Sequence, residues 1–228
     1  MKAYRRRPVT AGKAGSGNVA VNADILEIIR ALEECYPQAL CALEYEKDYE
    51  LLFAARLSAQ CTDARVNIVT PELYSRYPTL ASLAEADSTE LEGIIHSCGF
   101  FRAKARDMIA AAGMLIKEFD GRVPDTMEDL LRLPGVGRKT ANLMLGDIHN
   151  KPAVVVDTHC IRLANRMGLV STKDPVRIEA QLRELLPPEK SSDFCHRLVL
   201  HGRAVCTARK PACGECCVGG VCARVTDA

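Results

Sequence analysis

Leu133-Pro134-Gly135-Val136-Gly137-Arg138-Lys139-Thr140-Ala141-Asn142 is the stretch on which the reading of this chain turns. A helix-compatible segment ends near Leu133, and a second, apolar one runs from Thr140 to Ile148. Between them Pro134 blocks continuation of the first helix, and Gly135 and Gly137 allow the backbone angles of a tight hairpin. The pattern is helix, hairpin, helix. Such a hairpin leaves backbone N–H groups at the start of the second helix, where the macrodipole also favours an anion such as phosphate. Lys139 falls in the first turn of that helix, where the positive dipole end and Arg138 both disfavour a second ammonium charge. That placement suits a nucleophilic amine. A bare G-x-G would leave a plain helix–turn–helix corner with a solvated lysine as the better reading, so the rest of the chain has to decide.

The 228 residues can bury one large core or two modest ones, and 48% hydrophobic with 26% charged residues is the composition of a soluble protein. No apolar run approaches the roughly 20 residues that span a bilayer. A net charge of +1 neither requires nor excludes a polyanionic partner. Of eleven cysteines, Cys35, Cys41, Cys61, Cys98, Cys160 and Cys195 are scattered and five crowd into residues 206–222. The length, the lack of a signal peptide and the apolar helical context of the six argue against a disulfide-stapled secreted domain. They read as small buried hydrophobes in a reducing cytoplasm, and the terminal group reads as metal ligands.

Along the chain, residues 1–19 carry Lys2, Arg5, Arg6, Arg7 and Lys13 without an acid and read as a flexible basic arm able to touch nucleic acid weakly. Asp24 is expected to cap a first helix with Ile25, Ile28, Ile29 and Leu32 on its apolar face. Further helices are expected over Asp48 to Ala59 and from Thr62 to Tyr77, the latter bent or split by Pro71. Thr79 and Ser88 are the expected caps of two short helices, followed by a long one from Phe100 to Phe119. Thr126 opens the helix before the hairpin, with Asp129 at its third position. Ala153-Val154-Val155-Val156 reads as a buried connector, since no partner strand appears elsewhere. Helices are expected again over 158–167, 175–186 and 191–205. The class is all-α, without internal repeats.

Two constellations carry chemistry. Cys206-x6-Cys213-x2-Cys216-x5-Cys222 places four thiolates on short glycine- and proline-containing loops that can converge on one soft centre. Zinc and a [4Fe–4S] cluster both accept four thiolates; one C-x2-C pair flanked by single cysteines, where a zinc ribbon has two pairs, tilts the choice toward the cluster. Cys217 is the odd member. The second constellation pairs Lys139 with Asp157 in Val155-Val156-Asp157-Thr158-His159. Asp157 precedes a helix and reads as its N-cap, and a carboxylate fixed there stays ionised, as stabilising a positive charge or accepting a proton requires. His159 reads as a packed or capping residue. Arg197, Arg203, Arg209 and Lys210 form a run of positive charge that reads as a solvated face or a phosphate grip.

Together these features resemble the endonuclease III family of helix–hairpin–helix DNA glycosylases. The carrying stretches are Leu57-Ser58-Ala59-Gln60-Cys61-Thr62-Asp63, Leu133 to Asn142, Val156-Asp157-Thr158-His159, Leu200-His201-Gly202-Arg203 and the cysteine spacing, in that order over residues 25–223. The resemblance implies two helical lobes flanking a DNA-binding cleft: a six-helix barrel over 41–151 ending in the helix–hairpin–helix, and a discontinuous cluster domain from 20–40 and 152–228. It implies a [4Fe–4S] cluster on Cys206, Cys213, Cys216 and Cys222, with Lys139 as nucleophile and Asp157 as catalytic carboxylate. It also implies DNA contacts from Gly135, Gly137 and Arg138. Gln60 would fill the hole left by a flipped base, and Phe100 falls where the family inserts an apolar wedge; as a core aromatic at the head of a helix, Phe100 reads equally well. The expected partner is double-stranded DNA with a damaged base or abasic site, met by a monomer in a bacterial-type cytoplasm beside the nucleoid. Lys139, and a chain that stops soon after Cys222, favour a bifunctional glycosylase and lyase. A monofunctional or mismatch-directed glycosylase and a non-catalytic DNA-binding iron–sulfur protein are the rivals.

Overall fold

The computed structural model describes residues 23–226, and the basic arm lies outside them. Among the described residues all regular structure is helical, and none of the helices is long and apolar enough to cross a membrane. The chain divides into two compact units, one formed by Cys41–His149 and the other by the described residues up to Leu40 together with those from Asn150 onward.

The first unit contains α2 (Asp48–Leu57), α3 (Asp63–Arg76), α4 (Leu80–Ala84), α5 (Ser88–Ile95), α6 (Phe101–Glu118), α7 (Met127–Arg132) and α8 (Arg138–Asp147). α2 is buried almost all round, with Leu51, Leu52, Phe53 and Leu57 at most 1% exposed. It forms the centre of a core completed by Val66, Leu73, Leu91, Met108, Leu115, Leu130 and Met144. Burying each such side chain stabilises the fold by about 1.5–3 kcal/mol. The starts of these helices follow local hydrogen-bond chemistry. Thr62, Thr79 and Thr126 are N-caps, accepting from the backbone N–H of Arg65, Ser82 and Asp129. Asp87, rather than Ser88, caps α5, accepting from Glu90 N at 2.8 Å and leaving Ser88 as the first helical residue. Pro71 sits inside α3 without splitting it.

The second unit holds α1 (Ala23–Cys35), α9 (Thr158–Arg166), α10 (Pro175–Leu185), α11 (Ser191–Ala204) and the short α12 (Ala223–Thr226). Asp24 lies within the helical run of α1, not in a capping position. Ile25, Ile28 and Leu32 enter a core with Val154, Leu163, Ile178, Leu182, Phe194 and Leu198. The connector before α9 has no secondary structure and is apolar enough to run through this core, with Ala153 and Val154 fully buried. Its buried Ala153 N–H is satisfied by the Ser191 hydroxyl at 3.1 Å. α9 and α11 pack closely because of Gly202, where a Cβ would lie 2.7 Å from His159 Cδ2 and 2.8 Å from an Arg162 nitrogen.

Candidate DNA-repair site

In the first unit the hairpin is a turn closed by Val136 N donating to Leu133 O at 3.1 Å. Pro134 takes its second position and Gly135, with φ +76°, its third. Gly135 is needed twice over, for its left-handed backbone and for its seat. A Cβ there would lie 2.5 Å from Arg56 Nε and 2.9 Å from Asp107 Cβ. Those two side chains form a two-pronged ion pair, with Arg56 Nε and Nη2 donating to Asp107 Oδ2 at 3.1 and 2.7 Å. The hairpin thus rests on a salt bridge between α2 and α6.

Gly137 is different. Its φ of −104° and ψ of 175° are extended values open to any residue, and a Cβ there would meet nothing within 4 Å. The expectation that both glycines supply special turn angles is therefore corrected: only Gly135 does. Gly137 is the N-cap of α8 and offers no side chain to the first N–H groups of that helix. Arg138 and Lys139, its first two residues, are exposed. Burial first, and then the charges of Asp147 and Asp63, push the Cys41 thiol up to about 12 against the opposing effects of a Leu43 backbone hydrogen bond and the nearby Lys139.

Gln60 and Phe100 are both exposed and both take left-handed backbone angles, φ +57° and +47°, uncommon outside glycine. Phe100 is 66% exposed at the head of α6, which excludes a role as a core aromatic. Phe101 turns back instead, its ring 4.5 Å from that of His96.

In the second unit Asp157 caps α9, with Oδ1 accepting from Cys160 N at 2.8 Å and Oδ2 lying 3.1 Å from His159 Nδ1. Two directional contacts fix the carboxylate, so capping and catalysis make no conflicting demand on it. Lys139 and Asp157 belong to different units.

Also in the second unit, short 3-10 turns at Cys213–Glu215 and Gly219–Val221 fold the cysteine loop back on itself, anchored by the buried Val218. Burial first, and then Cys222, Cys206 and Cys213, push the Cys216 thiol up, so the four sulfurs share one electrostatic neighbourhood. Four cysteines gathered on one short loop are the donor set for a soft cationic centre, a zinc ion or an iron–sulfur cluster. The surroundings suit it: an Arg166 nitrogen lies 3.3 Å from Cys206 Sγ, and His201 Nε2 lies 3.3 Å from Cys216 Sγ. Arg162 and Arg166 also donate to the carbonyls of Cys206, Thr207 and Ala208, tying the loop to α9. The residues fit the cluster.

Cys217 is pushed up to about 12, by burial first and then by the neighbouring Cys35. Cys35 is exposed, unlike the other scattered cysteines, of which Cys98, Cys160 and Cys195 are buried. Arg197 leaves the expected basic face. It is 7% exposed, donates to Tyr36 O at 3.1 Å and faces Glu33, while Arg203, Arg209 and Lys210 are exposed. Three residues escaped the sequence reading. Lys104 and Asp107 carry no signal in a surface-like Arg/Lys/Asp pattern, and His201, although inside a quoted motif, shows its contact only in three dimensions.

Comparison with known proteins places this geometry in a class. Residues 53–188 match the HhH-GPD superfamily of base excision DNA repair proteins, and residues 206–222 match the iron–sulfur binding domain of endonuclease III. A Synechocystis endonuclease III is 50% identical over 197 residues, covering 86% of this chain and 90% of its own length. The Escherichia coli K12 enzyme is 38% identical over 86% of this chain and 93% of its own. A solved trapped endonuclease III–DNA covalent intermediate superposes with a TM-score of 0.84 at 37% identity, covering 89% of this chain and 96% of that one. The chain belongs to the endonuclease III family. It is a base-excision-repair DNA glycosylase that carries a [4Fe–4S] cluster.

Proposed function

We propose that this enzyme removes oxidised pyrimidines from double-stranded DNA and cuts the strand at the resulting abasic site through a Schiff base on Lys139. The observation that carries the residue assignment is Gly137, a glycine that neither its backbone angles nor any neighbouring atom of the protein requires. Glycine is the residue of choice where a backbone must approach a ligand closely, and here the helix start behind it offers N–H donors and a positive dipole end to a phosphate. Gly135, Gly137 and Arg138 would hold the DNA backbone, placing the neighbouring Lys139 beside the nucleotide. That a relative at 37% identity has been trapped covalently on DNA supports the same chemistry here.

In this mechanism the damaged nucleotide leaves the stack, at a cost of a few kcal/mol. Phe100 wedges the duplex and Gln60 fills the vacated space. The Lys139 amine attacks C1′ as the glycosidic bond breaks toward the base, and ring opening gives the Schiff base. Loss of a proton from C2′ then expels the 3′ oxygen, cutting the strand on the 3′ side. Asp157, held by Cys160 N, stabilises the cationic intermediate and helps move the proton. Cys206, Cys213, Cys216 and Cys222 hold the cluster, which supplies structure or redox sensitivity and not base removal. The enzyme acts as a monomer in the cytoplasm of a bacterial-type cell, alongside the nucleoid. Single-turnover assays on duplexes with thymine glycol, dihydrouracil or an unmodified thymine test the substrate class; excision confined to the oxidised bases is expected, and excision of a mispaired but undamaged thymine would favour the mismatch-directed reading.

A further inference from the structure

A lysine with no exposed surface stands at the head of α6. Lys104 is 0% exposed, and its ammonium donates to three backbone carbonyls, those of Leu57, Ala59 and Cys98, at 2.8, 2.9 and 2.9 Å. Burial of a lysine charge is costly, and this cost is met by three charge-assisted hydrogen bonds. The acceptors are informative. Leu57 ends α2 and Ala59 precedes Gln60, while Cys98 ends the turn that leads into Phe100. One cation therefore ties together the two turns whose tips are the left-handed residues Gln60 and Phe100. Strained backbone of this kind persists only where its surroundings hold it. Burial first, and then the neighbouring Cys61, push the Cys98 thiol up, so the same two turns also come together at their cysteines. One helical turn further on the same face of α6, Asp107 holds Arg56, on which the hairpin glycine Gly135 sits.

We propose that Lys104 is a positioning residue that fixes the Gln60 and Phe100 turns relative to one another so that both enter the duplex in register, and that Asp107 fixes the hairpin on the same helix face through Arg56. A single turn of α6 is thereby the alignment frame for three DNA-facing loops. This rests on the reading of Gln60 and Phe100 as the elements that open the duplex.

The test uses the full, cluster-loaded enzyme and two duplexes. One carries thymine glycol beside a 2-aminopurine, whose fluorescence reports unstacking; the other carries a preformed abasic site, where no base has to be extruded. Lys104→Met is expected to lose the fluorescence rise and base removal, on the order of 10²-fold as for an ångström-scale misplacement, while cleavage at the abasic site falls far less. Asp107→Asn keeps the side-chain shape and is expected to raise KM on both duplexes with kcat retained, because the hairpin meets the backbone of both. Should Lys104→Met not fold, that KM signature carries the test. Equal losses on both duplexes for Lys104→Met, or a kcat defect without a KM change for Asp107→Asn, overturn the proposal. Gln60→Ala and Phe100→Ala run alongside. If both leave the fluorescence rise intact, the assignment of the two loops falls; if they abolish it and Lys104→Met does not, the positioning role alone falls.

Discussion

Replacing each hairpin glycine by alanine separates what the fold needs from what DNA needs. At Gly135 a side chain meets φ +76°, costing about 1–2 kcal/mol. The added methyl also lies 2.5 Å from Arg56 Nε and 2.9 Å from Asp107 Cβ, so the ion pair under the hairpin has to shift. Overpacking of that kind costs a further 1–3 kcal/mol, roughly. Against a total stability of about 5–15 kcal/mol, a loss of ~2–5 kcal/mol is severe. At about 2–4 °C per kcal/mol for a chain of this size it lowers Tm by ~4–20 °C. At Gly137 the same methyl meets no protein atom and the backbone is unstrained, so the gain of about 0.4–1 kcal/mol through the unfolded chain is offset by the poorer N-cap that Ala makes, and stability stays within about 1 kcal/mol of the wild type. Yet in the proposed function the methyl stands where the phosphate approaches, and affinity should fall by about tenfold, or ~1.4 kcal/mol. Thermal unfolding paired with fluorescence anisotropy on a labelled abasic-analogue duplex, at one fixed salt concentration, reads both quantities. Wild-type affinity in Gly137→Ala would refute the reasoning, as would a drop in its Tm comparable to that of Gly135→Ala.

Other outcomes follow from the same contacts. Asp157→Asn keeps an N-cap oxygen for Cys160 N and should unfold like the wild type while losing strand cleavage; Asp157→Ala should in addition cost about 1 kcal/mol in a denaturant titration. Gly202→Ala drives a methyl toward His159 and Arg162 and should destabilise the α9–α11 packing by about 1–3 kcal/mol, seen as a lower urea midpoint. His201→Leu removes the imidazole that lies between the Tyr36 hydroxyl and Cys216 Sγ and should lower the cluster's reduction potential in voltammetry, since a hydrogen bond to a ligand sulfur favours the reduced state. Cys213→Ala should give less soluble protein with little of the brown cluster absorbance, because binding the cluster contributes folding free energy; a colourless wild type holding zinc would contradict the cluster assignment.

What the sequence revealed was mostly local. The Thr79 cap, the helix starts at Thr62 and Thr126, the Pro134–Gly135 turn and the buried connector at 153–156 depend on interactions a few residues apart and read correctly from spacing. At 87–88 two adjacent capping residues compete, and the pattern could not tell that Asp87 would win. The deeper misreadings were tertiary. Arg197 looks like its basic neighbours until Glu33 of α1 and the Tyr36 carbonyl just after it come in to bury it. Lys104 draws no reading at all, since lysine is almost never fully buried without partners, and its partners are carbonyls more than forty residues upstream as well as one nearby. Gly135 and Gly137 are the same letter two places apart, and only the surroundings show that one serves the fold and the other does not.

Borohydride trapping on a duplex containing a single thymine glycol tests the central claim most directly. A covalent protein–DNA band that forms with the wild type and is absent from folded, DNA-binding Lys139→Ala is the predicted result, establishing the Schiff base and its residue together. A band of undiminished intensity in Lys139→Ala, or alkali-labile sites without any band in the wild type, would contradict it.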